Sequence, residues 1–300
     1  MATFSRAVLI VLSVVAVPCV QADGVYNTAY GTNALGKTTD GSYNTAIGRE
    51  VLYYNTSGQR NTASGDSALY YNSSGSWNTA IGVDALLLNR RGHYNIAVGA
   101  GALWDNKTGS FNTAIGYRAG LKTKGKQNIF IGYKAGYYEK GSNKLYIDSS
   151  DTKKPLIYGD FLKNTLKVNG RMYATKFIKV SDERLKENIQ PLSGALSTVL
   201  QLQGKQYRLI DESVDQTDIG LIAQDVEKIL PEIVSETEDG YKAIAYQSLT
   251  AVLIEAMKEQ QNQITALQME NQQLKAVMAE QMDALLARVT MLEGVQVAAK

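Results

Sequence analysis

The chain has 300 residues, 44% of them apolar, and a formal charge of +2, so it has room to bury cores for two or three domains and is not disordered as a whole. It carries no long block of one charge sign, which excludes a nucleic-acid footprint in the bulk composition. Its 26 Gly and 18 Tyr, against 5 Phe and 4 Pro, suit short strands and turns in the first half.

Met1 to Ala22 reads as a secretory signal. Arg6 supplies the positive start, Ala7 to Val17 an apolar run too short to cross a bilayer comfortably, and Val20-Gln21-Ala22 a small-residue cleavage site. A membrane anchor is the less favoured alternative. Cys19 is the only cysteine and falls inside this segment, so the mature chain has no disulfide to rely on. Oligomerisation is the expected source of stability. The expected location is secreted or at the cell surface, with no membrane contact once the signal is removed.

Residues 23–142 form an internal repeat. Asn27, Asn44, Asn61, Asn78, Asn95 and Asn112 are 17 residues apart, and Asn128 follows after 16. Four residues on from these come Gly31, Gly48, Gly65, Gly82, Gly99, Gly116 and Gly132; eight on come Leu35, Leu52, Leu69, Leu86 and Leu103, then Gly120 and Gly136. A further glycine column precedes the Asn by three, from Gly41 to Gly125. Each unit holds one alternating run, such as YNTAIG at Tyr43–Gly48, between glycine turns, so it reads as one coil of a β-roll or β-solenoid. Coils stacked about 4.8 Å apart would make a rod of roughly 35 Å from seven of them. The Asn and Thr columns then become ladders, and the glycine columns mark positive φ or close backbone approach. The register and the Ala-Ile-Gly step resemble the heads of trimeric bacterial adhesins and phage fibre shafts, which implies a homotrimer.

Within the repeat, the Thr column (Thr28, Thr45, Thr62, Thr79, Thr113) is open to two readings, a register-setting ladder or a ligand face, and the ladder is favoured. The residues before the Asn (Tyr26, Tyr43, Trp77, Tyr94, Phe111) could stack on a cell-surface glycan or another host ligand, or pack between protomers. His93 is the sole histidine, beside Arg90 and Arg91, so no metal site is expected, and no cofactor either. The carboxylates Glu50, Asp66, Asp84 and Asp105 form no pair suited to glycoside cleavage.

Residues 143–180 read as a β-rich neck, with Asn169-Gly170 as its hairpin signal. Then comes SDERLKENI, Ser181 to Ile189. Its residues alone describe a capped helix: Ser181 as N-cap, Asp182 and Glu183 at the positive end of the dipole, Lys186 in solvent. In a continuous helix, five residues turn by about 500°, leaving Ser181 and Lys186 roughly 140° apart. A hydroxyl–amine pair therefore requires Ser181 to lie before the helix. Further on, Ile222, Val226 and Ile229 form one helical stripe that Pro231 stops, with Gln224 and Asp225 as lesser candidates for a site.

SDERLKENI, GLIAQDVEKILPEIV (Gly220–Val234) and YKAIAYQSLTAVLIEAMKE (Tyr241–Glu259), in that order, resemble the intramolecular chaperone auto-processing domain of phage endosialidases and tail spikes. The resemblance implies a Ser-Lys endopeptidase acting on its own chain after trimer assembly. Ser181 would be the nucleophile, Lys186 the base, Val180–Ser181 the bond cut, and Asn188 or backbone N–H groups the oxyanion donors. It assigns residues 181–248 to this domain. Tail spikes lack signal peptides, however, so the leader points to a bacterial envelope or extracellular protein. A structural adhesin that stays uncut is the alternative.

Residues 249–293 read as a coiled coil. Met257, Ile264, Asn271, Met278, Leu285 and Leu292 fall at a positions; Leu253, Gln260, Leu267, Leu274, Gln281 and Arg288 fall at d. The polar positions weaken the seam and fix its register. The fold class expected is thus a mostly β N-terminal repeat, then an α+β chaperone domain ending in a long coiled-coil helix.

Overall fold

The computed structural model describes residues 26–210, 217–237 and 239–298, with side chains to residue 291. The secretory signal expected at Met1 to Ala22 lies outside the described residues. The chain divides into two units, one ending at Phe177 and the other beginning at Ile178.

In the first unit, every repeat contributes one three-residue strand: β1 Thr28–Tyr30, β2 Thr45–Ile47, β3 Thr62–Ser64, β4 Thr79–Ile81, β5 Ile96–Val98, β6 Thr113–Ile115 and β7 Ile129–Ile131. All pair in parallel and in register, so Ala29, Ala46, Ala63, Ala80, Ala97 and Ala114 stack in one column. This is a β-solenoid of seven coils. The alanine column and the leucine column from Leu35 to Leu103 are buried and make the core. The Thr column flanking the alanines is exposed or half-buried, which places it on the rim.

The leucines take a left-handed backbone, φ 51 to 54. That conformation costs about 1–2 kcal/mol, and burying the side chain returns about 1.5–3 kcal/mol, so the strain is held by the core. Glycine is required where the coils approach each other: Gly65 has φ 126, and a Cβ there would stand 2.6 Å from the Gly82 carbonyl of the next coil.

The Asn column is a buried ladder. Asn61 donates its backbone N–H to Asn44 Oδ1 at 2.9 Å, and its Nδ2 to the Gly75 carbonyl at 2.9 Å. A second ladder, at Asn55, Asn72, Asn89 and Asn106, was not singled out from the sequence. Asn72 Nδ2 donates to Asn55 Oδ1 at 2.7 Å and to the same Gly75 carbonyl at 2.8 Å. The glycine carbonyl therefore joins two amide columns. Thr38 and Thr123 occupy this column's ends, and their buried hydroxyls make no hydrogen bond.

After β7 the sheet continues as β8 Lys144–Ile147, paired parallel to β7, then β9 Ile157–Asp160 and β10 Thr165–Val168, both antiparallel. The hairpin expected at Asn169-Gly170 is instead at 161–164, between β9 and β10. There Asp160 Oδ1 accepts from the backbone of Leu162 and Lys163 at 3.0 and 3.2 Å, and Asn164 takes φ 52. Asn169 turns back onto the β8–β9 connection, its Nδ2 donating to the Pro155 carbonyl at 2.6 Å. The sequence signal was local, whereas the buried Asp160 carboxylate decided where the chain reversed.

The second unit contains α1 Ala195–Gln201, β11 Lys205–Tyr207 paired with β12 Asp218–Gly220, α2 Ala223–Glu227, β13 Val234–Glu236 paired with β14 Lys242–Ile244, and α3 Tyr246–Ala298. Val226 of the expected stripe is buried with Ile233 and Leu249. Ile222 stands before α2 as its cap, and Pro231 opens a 3-10 turn after the helix has already ended. Among the described residues, no helix is long and apolar enough to cross a membrane.

Candidate functional site

Ser181 follows an exposed stretch without regular structure that ends at Val180. The continuous helix expected after it is a single 3-10 turn, Glu183–Leu185, and its cap is Asp182 rather than Ser181. The reason is geometric. The Asp182 carboxylate accepts from the Arg184 backbone N–H at 2.9 Å and from the Arg184 guanidinium at 3.0 and 2.7 Å. The Arg184 side chain, and then its backbone N–H, holds the Asp182 carboxyl below the usual range.

The turn lasts three residues, and the chain leaves it extended at Lys186, φ −128 and ψ 148. Lys186 is therefore not carried round a helix away from Ser181. Its Nζ lies 2.7 Å from Ser181 Oγ and 3.1 Å from the Ser181 carbonyl oxygen. Both residues are exposed, as is Val180. Asn188, two residues on, sits in the left-handed region at φ 53.

The other candidates have different duties. Asp225 pairs with Lys228 at 3.3 Å on an exposed face of α2. His93 belongs to a seryl column, its Nδ1 accepting from the Ser76 backbone N–H at 3.1 Å and its own backbone N–H donating to Ser110 Oγ at 3.0 Å. The aromatic column stacks on itself: Tyr26 on Tyr43 at 5.1 Å, Trp77 on Tyr94 at 6.0 Å and Tyr94 on Phe111 at 5.1 Å, with the Arg60 guanidinium between Tyr43 and Trp77 at 5.4 and 4.5 Å. Ring faces within that ladder are turned toward neighbouring coils, which leaves edges for solvent and is a poor platform for sugar stacking.

One residue of the same unit that was missed in the sequence is Glu259. Helix α1 begins after Gly194, which has φ 68 and no side chain to cap with. Glu259 of α3 supplies the cap, accepting from the Ala195 and Leu196 N–H groups at 3.0 and 2.9 Å beside the packed Ala195, Val252 and Ala256. A separation of 64 residues hides such a cap from any local pattern.

Residues 181–235 match the family model described as the chaperone of endosialidase. This is a family of self-cleaving peptidases, and the match begins at Ser181 itself. The chain is also similar to the long tail fibre protein Gp37 of Enterobacteria phage T2, 36% identical over 116 residues, which is 33% of this chain and 9% of that protein. The Gp37 of Enterobacteria phage M1 is 41% identical over 95 residues, 29% of this chain and 38% of the relative. The similarity thus spans well under half of either relative. No solved structure matches the chain.

Proposed function

We propose that this chain is a fibre-like protein that assembles as a homotrimer and whose C-terminal unit, after guiding assembly, releases itself by cutting Val180–Ser181. The observation that carries the reading is the Lys186 Nζ–Ser181 Oγ contact of 2.7 Å at the first residue of the chaperone-family match. In the reaction, Ser181 Oγ attacks the Val180 carbonyl carbon while its proton passes to the neutral Lys186 amine. The Val180–Ser181 amide bond breaks as that proton moves to the Ser181 nitrogen, leaving an ester that water hydrolyses. Asn188 or backbone N–H groups would steady the oxyanion.

Exposure of both residues on the single chain supports a coupling to assembly. Enclosure by other protomers would exclude water from the Ser181–Lys186 pair and hold the two side chains together. The α3 seam supports association: Met257, Ile264, Leu267, Leu274, Met278 and Leu285 are 42–69% exposed on one chain, at heptad spacing. The second reading is a structural adhesin that remains uncut because assembly leaves Ser181 and Lys186 uncovered. The relatives' names favour a virion fibre over an envelope protein, in either case outside the cell. Intact mass of the purified chain decides the matter: cleavage at Ser181 that Ser181→Ala abolishes supports release, and an uncut wild-type trimer indicates the adhesin.

A further inference from the structure

Because seven coils repeat one pattern, a coil that departs from its column stands out. Two residues after the columnar glycine come Asn33, Glu50, Ser67, Asp84, Gly101, Arg118 and Lys134, all left-handed with φ between 54 and 67. Six of these coils present a polar side chain, and the fifth presents none. Where Gly101 omits it, a cleft of about 500 Å³ opens, bordered by Asp84 of the preceding coil, Tyr117, Arg118 and Leu121 of the following one, and Trp104. A cleft of that size accommodates one or two sugar rings.

Its lining selects among ligand classes. Trp104 differs from Trp77, because the residues at its column position in the adjacent coils are Leu87 and Leu121, not further rings. Its indole is therefore outside the self-stacked aromatic ladder. Asp84 and Arg118 bring one negative and one positive group to the same cleft, the guanidinium lying 5.0 Å over the Tyr117 ring. Burial first, and then the charge of Asp66, pushes the Asp84 carboxyl up, so it is a desolvated acceptor. An anion would meet Asp84, a cation would meet Arg118, and an apolar ligand would strip water from both. An uncharged pyranose fits all three demands: its C–H face lies on the indole, its hydroxyls donate to Asp84, and its oxygens accept from Arg118.

We propose that the cleft at Gly101 is a binding site for an uncharged pyranose sugar, opened by the one coil that leaves out a columnar side chain. The site is independent of cleavage at Ser181, and the Ser181→Ala chain is expected to bind the same sugars, so either reading can fail without the other.

The test uses the full chain and saturation-transfer NMR with the methyl glycosides of glucose, galactose, mannose and N-acetylglucosamine, and with N-acetylneuraminic acid as the anionic probe. At least one neutral glycoside should bind. Gly101→Lys fills the cleft with the residue that position 134 already carries in this column, its Cβ meeting Arg118 Cγ at 3.2 Å so that this flexible side chain must shift, and Trp104→Leu installs the residue of both neighbouring coils and is expected to fold. Each should weaken binding by about tenfold or more, whereas Trp77→Leu should leave it unchanged. Should Gly101→Lys lower the melting temperature sharply, Trp104→Leu carries the test. No binding by any neutral glycoside, binding of N-acetylneuraminic acid alone, or full affinity in a folded Trp104→Leu chain would overturn the proposal.

Discussion

The Phe130 ring occupies the space that a Cβ on Gly136 would need, and it also stands 2.5 Å from where a Cβ on Gly120 would lie. In the five coils from Ala29/Leu35 to Ala97/Leu103 alanine takes the strand position and leucine the left-handed one, and the sixth pairs Ala114 with Gly120. At Phe130 and Gly136 the sizes are exchanged, one large side chain still filling the core. Phe130→Ala alone should cost about 3–5 kcal/mol through the cavity it leaves, and Gly136→Leu alone should destabilise by overpacking. The double variant rebuilds the Ala97/Leu103 arrangement in its own coil and should recover part of the loss, the space beside Gly120 staying unfilled. Thermal denaturation of the four chains gives the coupling, and strict additivity would sink the idea.

The amide ladder predicts a position effect. Asn61→Ala removes the acceptor for the Asn78 N–H and one of the two donors to the Gly75 carbonyl, all buried. Its expected cost is about 2–4 kcal/mol. Asn27, half-buried in the first described coil, accepts from the Asn44 N–H and donates to Gly41, and Asn27→Ala should cost less, about 1 kcal/mol. Equal losses in urea unfolding would show that the ladder is not what holds the coils in register.

Cleavage should respond to the two partners differently from their surroundings. If the proposed cleavage operates, Ser181→Ala and Lys186→Met should each leave the chain at full mass, the first lacking the proposed nucleophile and the second the proposed base. Asp182→Asn keeps a cap acceptor but weakens the Arg184 fork, and should slow cleavage without abolishing it. A Lys186→Met chain that cuts at the wild-type rate would remove lysine from the mechanism. Sedimentation of the same samples reports whether cut chains come only from trimers.

Helix α1 should loosen in acid. The backbone N–H of Leu196, with those of Ala195 and Gly194, holds the Glu259 carboxyl below its ordinary value of 4.5, although burial opposes them. A depressed carboxylate stabilises the fold above the unfolded value, and that contribution disappears as pH falls through the folded one. Amide exchange at Ala195 and Leu196 should therefore accelerate as pH is lowered below about 4.5, after correction for intrinsic rates. Glu259→Gln should exchange faster at neutral pH and lose the acid dependence. Indistinguishable protection in the two chains would leave α1 held by Ala195, Val252 and Ala256 alone.

What the sequence determined by itself was the periodic part. A repeat of 17 residues with Asn, Ala, Gly and Leu in fixed places admits few conformations that stack like on like, so the solenoid, its buried columns and its glycine approaches were legible before any coordinates. So was the long heptad helix, and so were the motifs that mark Ser181. Tertiary structure decided what depends on groups far apart or on how a turn ends. The neck reversed at Asp160, where a buried carboxylate collects two N–H groups, and not at Asn169-Gly170. The cap of α1 came from Glu259. Ser181 and Lys186, kept apart by helical periodicity, met because Asp182 and Arg184 hold a three-residue 3-10 turn, after which the extended backbone returns the lysine to the serine. Periodicity is a local property written residue by residue, whereas a contact across a turn or between helices depends on which hydrogen bonds win once the chain is packed.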